Sequence, residues 1–161
     1  YCSIIFYLLL LIACQSKPPT ICDSSPGQLV HLKAVAPLEQ AVDGRYEIPV
    51  IFEIASGYHI MADTGREESW IYTQLSLLPQ KGYLTGRPLF PAPKSFYYQE
   101  DTEPLSVFAG DMLVKIPILP SVEAGAGAYT LRGHLLYQAC TGQKCFFPRK
   151  LAFEIPVRNE G

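Results

Sequence analysis

The sequence has no basic run and no stripe of Lys and Arg. Its 13 Lys and Arg against 15 Asp and Glu leave a net charge of −2. That balance gives a polyanion little to hold, so no nucleic-acid partner is expected. No window sustains a helical period of apolar residues without a Pro or Gly nearby, which argues against long amphipathic helices. There is no internal repeat and no second domain. There is no glycine loop of the kind that cradles phosphate, and no convincing Ser/His/Asp set for hydrolysis. Closely spaced cysteines are scarce too: Cys140 and Cys145 form the only such pair. A closed zinc site needs four ligands. The remaining candidates, His31, His59, His134 and Cys22, lack paired-ligand spacing, so neither a metal nor a bound cofactor is expected.

What is present suits one β-rich domain. The chain has 161 residues, 48% of them hydrophobic, which is ample for a packed core. Ten Tyr and eight Phe lean toward strands. Alternating extended segments run over Gln28–Ala36, Tyr46–Ala55 and Trp70–Leu78. Others follow at Leu105–Leu119, broken near Gly110, then at Ala128–Cys140 and Lys150–Val157. Pro49 predicts an edge strand or a bulge. Six or more strands at this spacing predict an all-β sandwich. Gly86–Pro104 is too Pro-rich for a strand and reads as a long loop, a type that is often functional. Trp70 is expected to fill the core.

The N-terminus reads "YCSIIFYLLLLIACQSKPP". Its apolar run, Ile4 to Ile12, has the length of a signal-peptide core and is too short to span a bilayer as a helix. Leu11-Ile12-Ala13-Cys14 resembles a bacterial lipobox, in which Cys14 carries lipid after cleavage. No Met and no basic segment precede the run, so a truncated start is expected. The organisation expected is a signal peptide over 1–13, a lipid-anchored flexible tether over 14–27 and a folded domain over 28–158. Export would place that domain in a compartment that permits disulfides. Cys2 would leave with the signal, and Cys14 would be acylated. Cys22, Cys140 and Cys145 remain: one pair and one odd thiol, with Cys22 in the Pro/Ser-rich tether.

The pair lies in "LLYQACTGQKCFFP", where Gly142 supplies turn freedom. A hairpin with this loop would set the two cysteines nearly opposite each other, within bonding reach. Three readings follow: staple, metal clip and redox switch. A bond closing so short a loop restricts the unfolded chain by only about 2 kcal/mol, against nearly 5 for a hundred-residue loop. Redox exchange needs an accessible thiolate, and Lys144, Arg149 and Lys150 are near in sequence. Lys144 directly precedes Cys145, which makes Cys145 the better candidate nucleophile. Tyr137 and Gln138 are expected to orient the hairpin. His59 is either a proton acceptor near the thiols or an ordinary strand histidine.

"YQACTGQKCFFP" resembles the active hairpin of the N-terminal periplasmic domain of the thiol:disulfide interchange protein DsbD family. "SGYHIMA" (Ser56–Ala62) and "VFAGDMLVKIPI" (Val107–Ile118) resemble the family's earlier segments, so the likeness spans roughly Leu29 to Val157. The resemblance implies an immunoglobulin-like β-sandwich with a redox-active cysteine pair and no cofactor. It implies that Cys145 attacks a partner disulfide and that Cys140 resolves the mixed disulfide. It also implies a cap over the sulfurs, matched here by Ser95–Pro104. In that cap Tyr97 or Tyr98 would shield the pair, and Glu100, with Asp101 and Glu103, would disfavour a stray thiolate. Implied partners are a membrane-embedded redox conductor or thioredoxin-like donor and thioredoxin-fold periplasmic proteins. The expectation is thus a stand-alone lipoprotein on the periplasmic side of a bacterial membrane, relaying electrons. The alternative is a non-catalytic binding module whose disulfide only shapes a loop.

Overall fold

The computed structural model describes residues 27–40, 46–65, 70–98, 103–121 and 125–159. The expected signal segment, Cys14, Cys22, Glu100 and Asp101 lie outside them. Among the described residues the chain forms strands and no helix. In order they are β1 (Val30–Val35), β2 (Glu39–Gln40), β3 (Tyr46–Ile54), β4 (His59–Met61), β5 (Gln74–Leu77) and β6 (Tyr83–Thr85). Then come β7 (Lys94–Phe96), β8 (Leu105–Phe108), β9 (Asp111–Pro120), β10 (Gly127–Tyr137), β11 (Ala139–Cys140) and β12 (Arg149–Asn159).

The strands make three antiparallel sheets. The first runs β1-β3-β9-β6, with β2 also on β3; the second runs β12-β10-β5; the third runs β11-β4-β8-β7. Alternation along the strands decides which face is buried. Ile48, Val50, Phe52 and Ile54 of β3 point inward, as do Met112, Val114, Ile116 and Ile118 of β9. Leu131 and Leu135 of β10 and Leu151, Phe153 and Ile155 of β12 join them in one core. Phe52 meets Phe153 edge to face at 5.5 Å between ring centroids, and Tyr83 meets Tyr129 at 5.1 Å. These contacts join the first sheet to the second. The result is the all-β sandwich that the strand pattern implies.

Two local expectations change. Pro49 lies in the central strand β3, away from any edge or bulge. Its missing N–H falls where the neighbour on one side changes from β2 to β1, and its carbonyl accepts from the Ala36 amide at 2.9 Å. The bulge sits on β1 instead, between Leu32 and Ala34. Gly86–Pro104 is also more than a loop. Leu89 bridges to Lys115 on β9, and Lys94–Phe96 pairs with β8 as an edge strand. An edge position tolerates the surrounding prolines because only one side must pair. Trp70 is half-buried and outside the central cluster.

Two crossovers between sheets position the site. Gly110, at φ 74°, turns the chain from β8 in the third sheet to β9 in the first. Gln138 does the same between β10 in the second sheet and β11 in the third.

Candidate redox site at the cysteine hairpin

The segment expected as one strand, Ala128–Cys140, changes partners near its end. Up to Tyr137, opposite Arg149, β10 pairs with β12. Beyond Gln138, β11 pairs with β4, placing Ala139 opposite Ile60 and Cys140 opposite His59. The Gln138 carboxamide is used at both ends. Its Nε2 donates to the Phe146 carbonyl at 3.1 Å, and its Oε1 accepts from the Ile71 amide at 3.3 Å. The Phe146 amide donates back to the Ala139 carbonyl at 2.8 Å. Gln138 therefore ties both arms of the hairpin to the loop before β5. Beneath it, Tyr137 is buried, and burial pushes its phenol pKa up; the Leu29 and Val30 backbone and Arg149 act in the opposite direction.

The tip is closed locally. The Thr141 amide donates to the Lys144 carbonyl at 2.8 Å, and the Thr141 hydroxyl oxygen accepts from the Gln143 and Lys144 amides at 3.2 Å each. Cys140 and Cys145 face each other across this turn and are bonded, with Cα atoms 3.9 Å apart. Their surroundings differ sharply. Cys140, on the strand paired with β4, is 1% exposed, while Cys145 is half-buried at the start of the return arm. A visiting molecule therefore has access to one side of the bond.

A row of side chains crosses three neighbouring segments: His59, Cys140 and Cys145. Directly opposed residues of an antiparallel pair project to the same face. His59 is buried, its Nε2 has no hydrogen-bond partner among the described residues, and desolvation lowers its pKa. The Phe96 ring lies 4.0 Å from the His59 ring, centroid to centroid. It also reaches the tip: a Cβ added to Gly142 would meet Phe96 Cζ at 3.9 Å. Phe96 is thus a roof over this row. Tyr98, two residues on, donates its hydroxyl to the Gln143 carbonyl at 2.6 Å. Tyr97 is 60% exposed. Of the two tyrosines named from sequence, Tyr98 is the one held to the hairpin. Phe96 lies in the same Ser95–Pro104 segment, but the surrounding prolines mask the short strand that aims it.

The basic residues separate as well. Lys144 Nζ sits 5.1 Å from the Phe146 ring centroid, beside Cys145. Arg149 instead donates to the Gly27 carbonyl, and Lys150 stands opposite Leu136 on β12. Lys144 is the cation of the three that belongs to the hairpin turn. Phe146 also packs on Tyr58 at 5.8 Å between centroids, whereas Phe147 is 92% exposed. A large aromatic therefore stands free two residues from the accessible cysteine. Among the described residues no three His, Cys, Asp or Glu side chains gather as a metal site.

No family model matches this chain, and no curated protein does. Among solved structures it is similar to the N-terminal domain of DsbD from Neisseria meningitidis in the reduced form. That match has 20% identity, covers 78% of this chain and 86% of that chain, and has a TM-score of 0.41. It is also similar to the N-terminal periplasmic domain of ScsB from Proteus mirabilis, at 14% identity. Here 73% of this chain and 43% of that chain are covered, with a TM-score of 0.44.

Proposed function

We propose that this domain exchanges its Cys140–Cys145 disulfide with other proteins and so relays electrons outside the cytoplasm. The observation that carries the reading is the unequal exposure of the two bonded cysteines on a fixed hairpin. A donor thiolate attacks Cys145 Sγ, and the electron pair of the broken S–S bond moves to Cys140 Sγ. A second donor thiolate attacks the mixed disulfide. The donor departs as a disulfide and the pair becomes a dithiol, with two electrons and two protons gained. In the delivering half, the Cys145 thiolate attacks an acceptor disulfide, one acceptor sulfur leaves, and Cys140 closes onto Cys145 to release the other. No bound cofactor enters these steps.

The resemblance of the hairpin to the DsbD N-terminal family supports a membrane-embedded conductor or thioredoxin-like donor, and thioredoxin-fold acceptors in the periplasm. Cys14 would tether the domain by lipid and raise its local concentration near a membrane donor. Tyr98, Tyr97 and the acidic segment with Glu100 would form the cover over the pair.

Single-cysteine variants test the assignment. Cys140→Ala is expected to accumulate mixed disulfides through Cys145 with oxidised thioredoxin-fold proteins, and Cys145→Ala is not. Trapping by Cys145→Ala alone would reverse the roles. Equilibration in glutathione or thioredoxin buffers tests the class. A bond that stays oxidised below roughly −300 mV would replace this reading with a non-catalytic binding module shaped by a structural disulfide.

A further inference from the structure

Resting on the exchange reading, we propose that His59 accepts the proton of the Cys140 thiol as Cys140 closes onto Cys145. The oxidised site contains a buried ring nitrogen, His59 Nε2, with no hydrogen-bond partner among the described residues. Orphaned buried polar atoms are uncommon and ask for a reason. Directly across the strand pair is Cys140, which is also buried. A disulfide has no proton to offer; a reduced Cys140 does. Among the described residues, the donor that would satisfy the histidine exists only after the bond has been broken.

A buried thiol is a poor nucleophile until it loses its proton, and a dry pocket opposes the bare thiolate. The step balances as follows. The Cys140 S–H proton goes to His59 Nε2, and Cys140 Sγ bonds to Cys145 Sγ. The bond between Cys145 and the partner sulfur breaks, and the partner leaves as a thiolate. The imidazolium then returns its proton to solvent or to that thiolate. Burial holds the resting imidazole neutral at pH 7, the form that can accept.

Among the described residues, three other titratable groups near this row are engaged elsewhere. From β7, Lys94 Nζ donates to the Ala109 carbonyl; just beyond β7, Tyr98 is bonded to the Gln143 carbonyl; from the tip, Lys144 lies over Phe146. Strand β8, Leu105–Phe108, carries no titratable side chain, and β11 contributes Cys140 alone.

The reduced domain, mixed rapidly with dithiobis-nitrobenzoate, separates the steps. The first nitrothiobenzoate released reports attack by Cys145, and the second reports closure by Cys140. The wild-type closure rate is expected to be flat near neutral pH and to fall as His59 protonates below its ordinary value of 6.5. His59→Gln and His59→Phe are each expected to slow the second phase relative to the first by about a hundredfold, the lower end for general bases. Their profiles should then rise only toward an ordinary thiol pKa of about 8.5. The proposal is overturned if wild type already shows that single thiol rise, a result independent of whether the variants fold. It is equally overturned if both variants keep the wild-type ratio of phases. A disulfide that dithiothreitol cannot reduce, or a dithiol that releases no first equivalent, would overturn the exchange reading along with it.

Discussion

Cys140 and Cys145 share one bond and have different neighbours, and the difference is made by residues far away in sequence. The local signal in the chain was Lys144 beside Cys145. It gave an order of reactivity without showing what hides the other sulfur. Cys140 is buried on a strand whose place is set by pairing with β4, a register between positions 140 and 59 that no short window reveals. His59 illustrates the same limit. As a residue type it reads more readily as a strand histidine than as a proton acceptor, and only its burial and an Nε2 without a partner among the described residues point to the second. The same burial predicts a pH effect on stability. Desolvation lowers the folded pKa below the ordinary 6.5, so the unfolded chain binds this proton more readily. The stabilising contribution is intact above about 6.5 and is lost as pH falls toward the folded value. Urea midpoints of the oxidised domain should therefore drop between neutral and mildly acidic pH. His59→Phe should flatten that part of the fall, and an unchanged slope in the variant would contradict the assignment.

Among the elements, the long strands were legible and the short ones were not. Alternation marked β3, β9, β10 and β12 because each buries one face over many residues. Strands β2, β4, β6, β7 and β11 have two or three residues each, too few for a period. They are set by their partners, which is why the sequence of Lys94–Phe96 reads as loop and does not reveal the site's aromatic roof. Gln138 gave a partial signal: a polar residue before a buried cysteine pointed to hairpin orientation. That it marks the change from one sheet to another depends on the register of both. Strand β10 also contains Gly133, against which β5 and β12 pack closely. A Cβ there would meet the Ser76 carbonyl oxygen at 2.6 Å and Phe153 Cζ at 2.8 Å. Backbone cannot step aside as a flexible side chain can. Gly133→Ala should lower stability by about 1–3 kcal/mol or more, read from urea unfolding. A neutral result would mean that β5 can move away freely.

For the whole molecule, the sandwich is expected to hold together without the disulfide. Its core joins all three sheets through residues such as Phe52, Phe108, Tyr137 and Phe153. The disulfide closes only the hairpin tip, and the chain-entropy gain for so small a ring is about 2 kcal/mol. Reduced and oxidised domains should therefore both be folded, differing by about that amount in urea unfolding, with similar far-ultraviolet spectra. Collapse on reduction would mean that the bond is a structural clamp. This separation of fold from bond could be argued from composition, since 161 residues with 48% hydrophobic content promised a core of ordinary size.

The change of sheet at Gln138 bears on what the smallest working version of this chemistry can be. A synthetic peptide copying Tyr137–Pro148 could close the same ring. Both sulfur atoms would then stand in open solvent, and an attacking reagent would have little basis for choosing between them. Directionality, unlike bond formation, would have to be borrowed from the distant strand on which the ribbon lies.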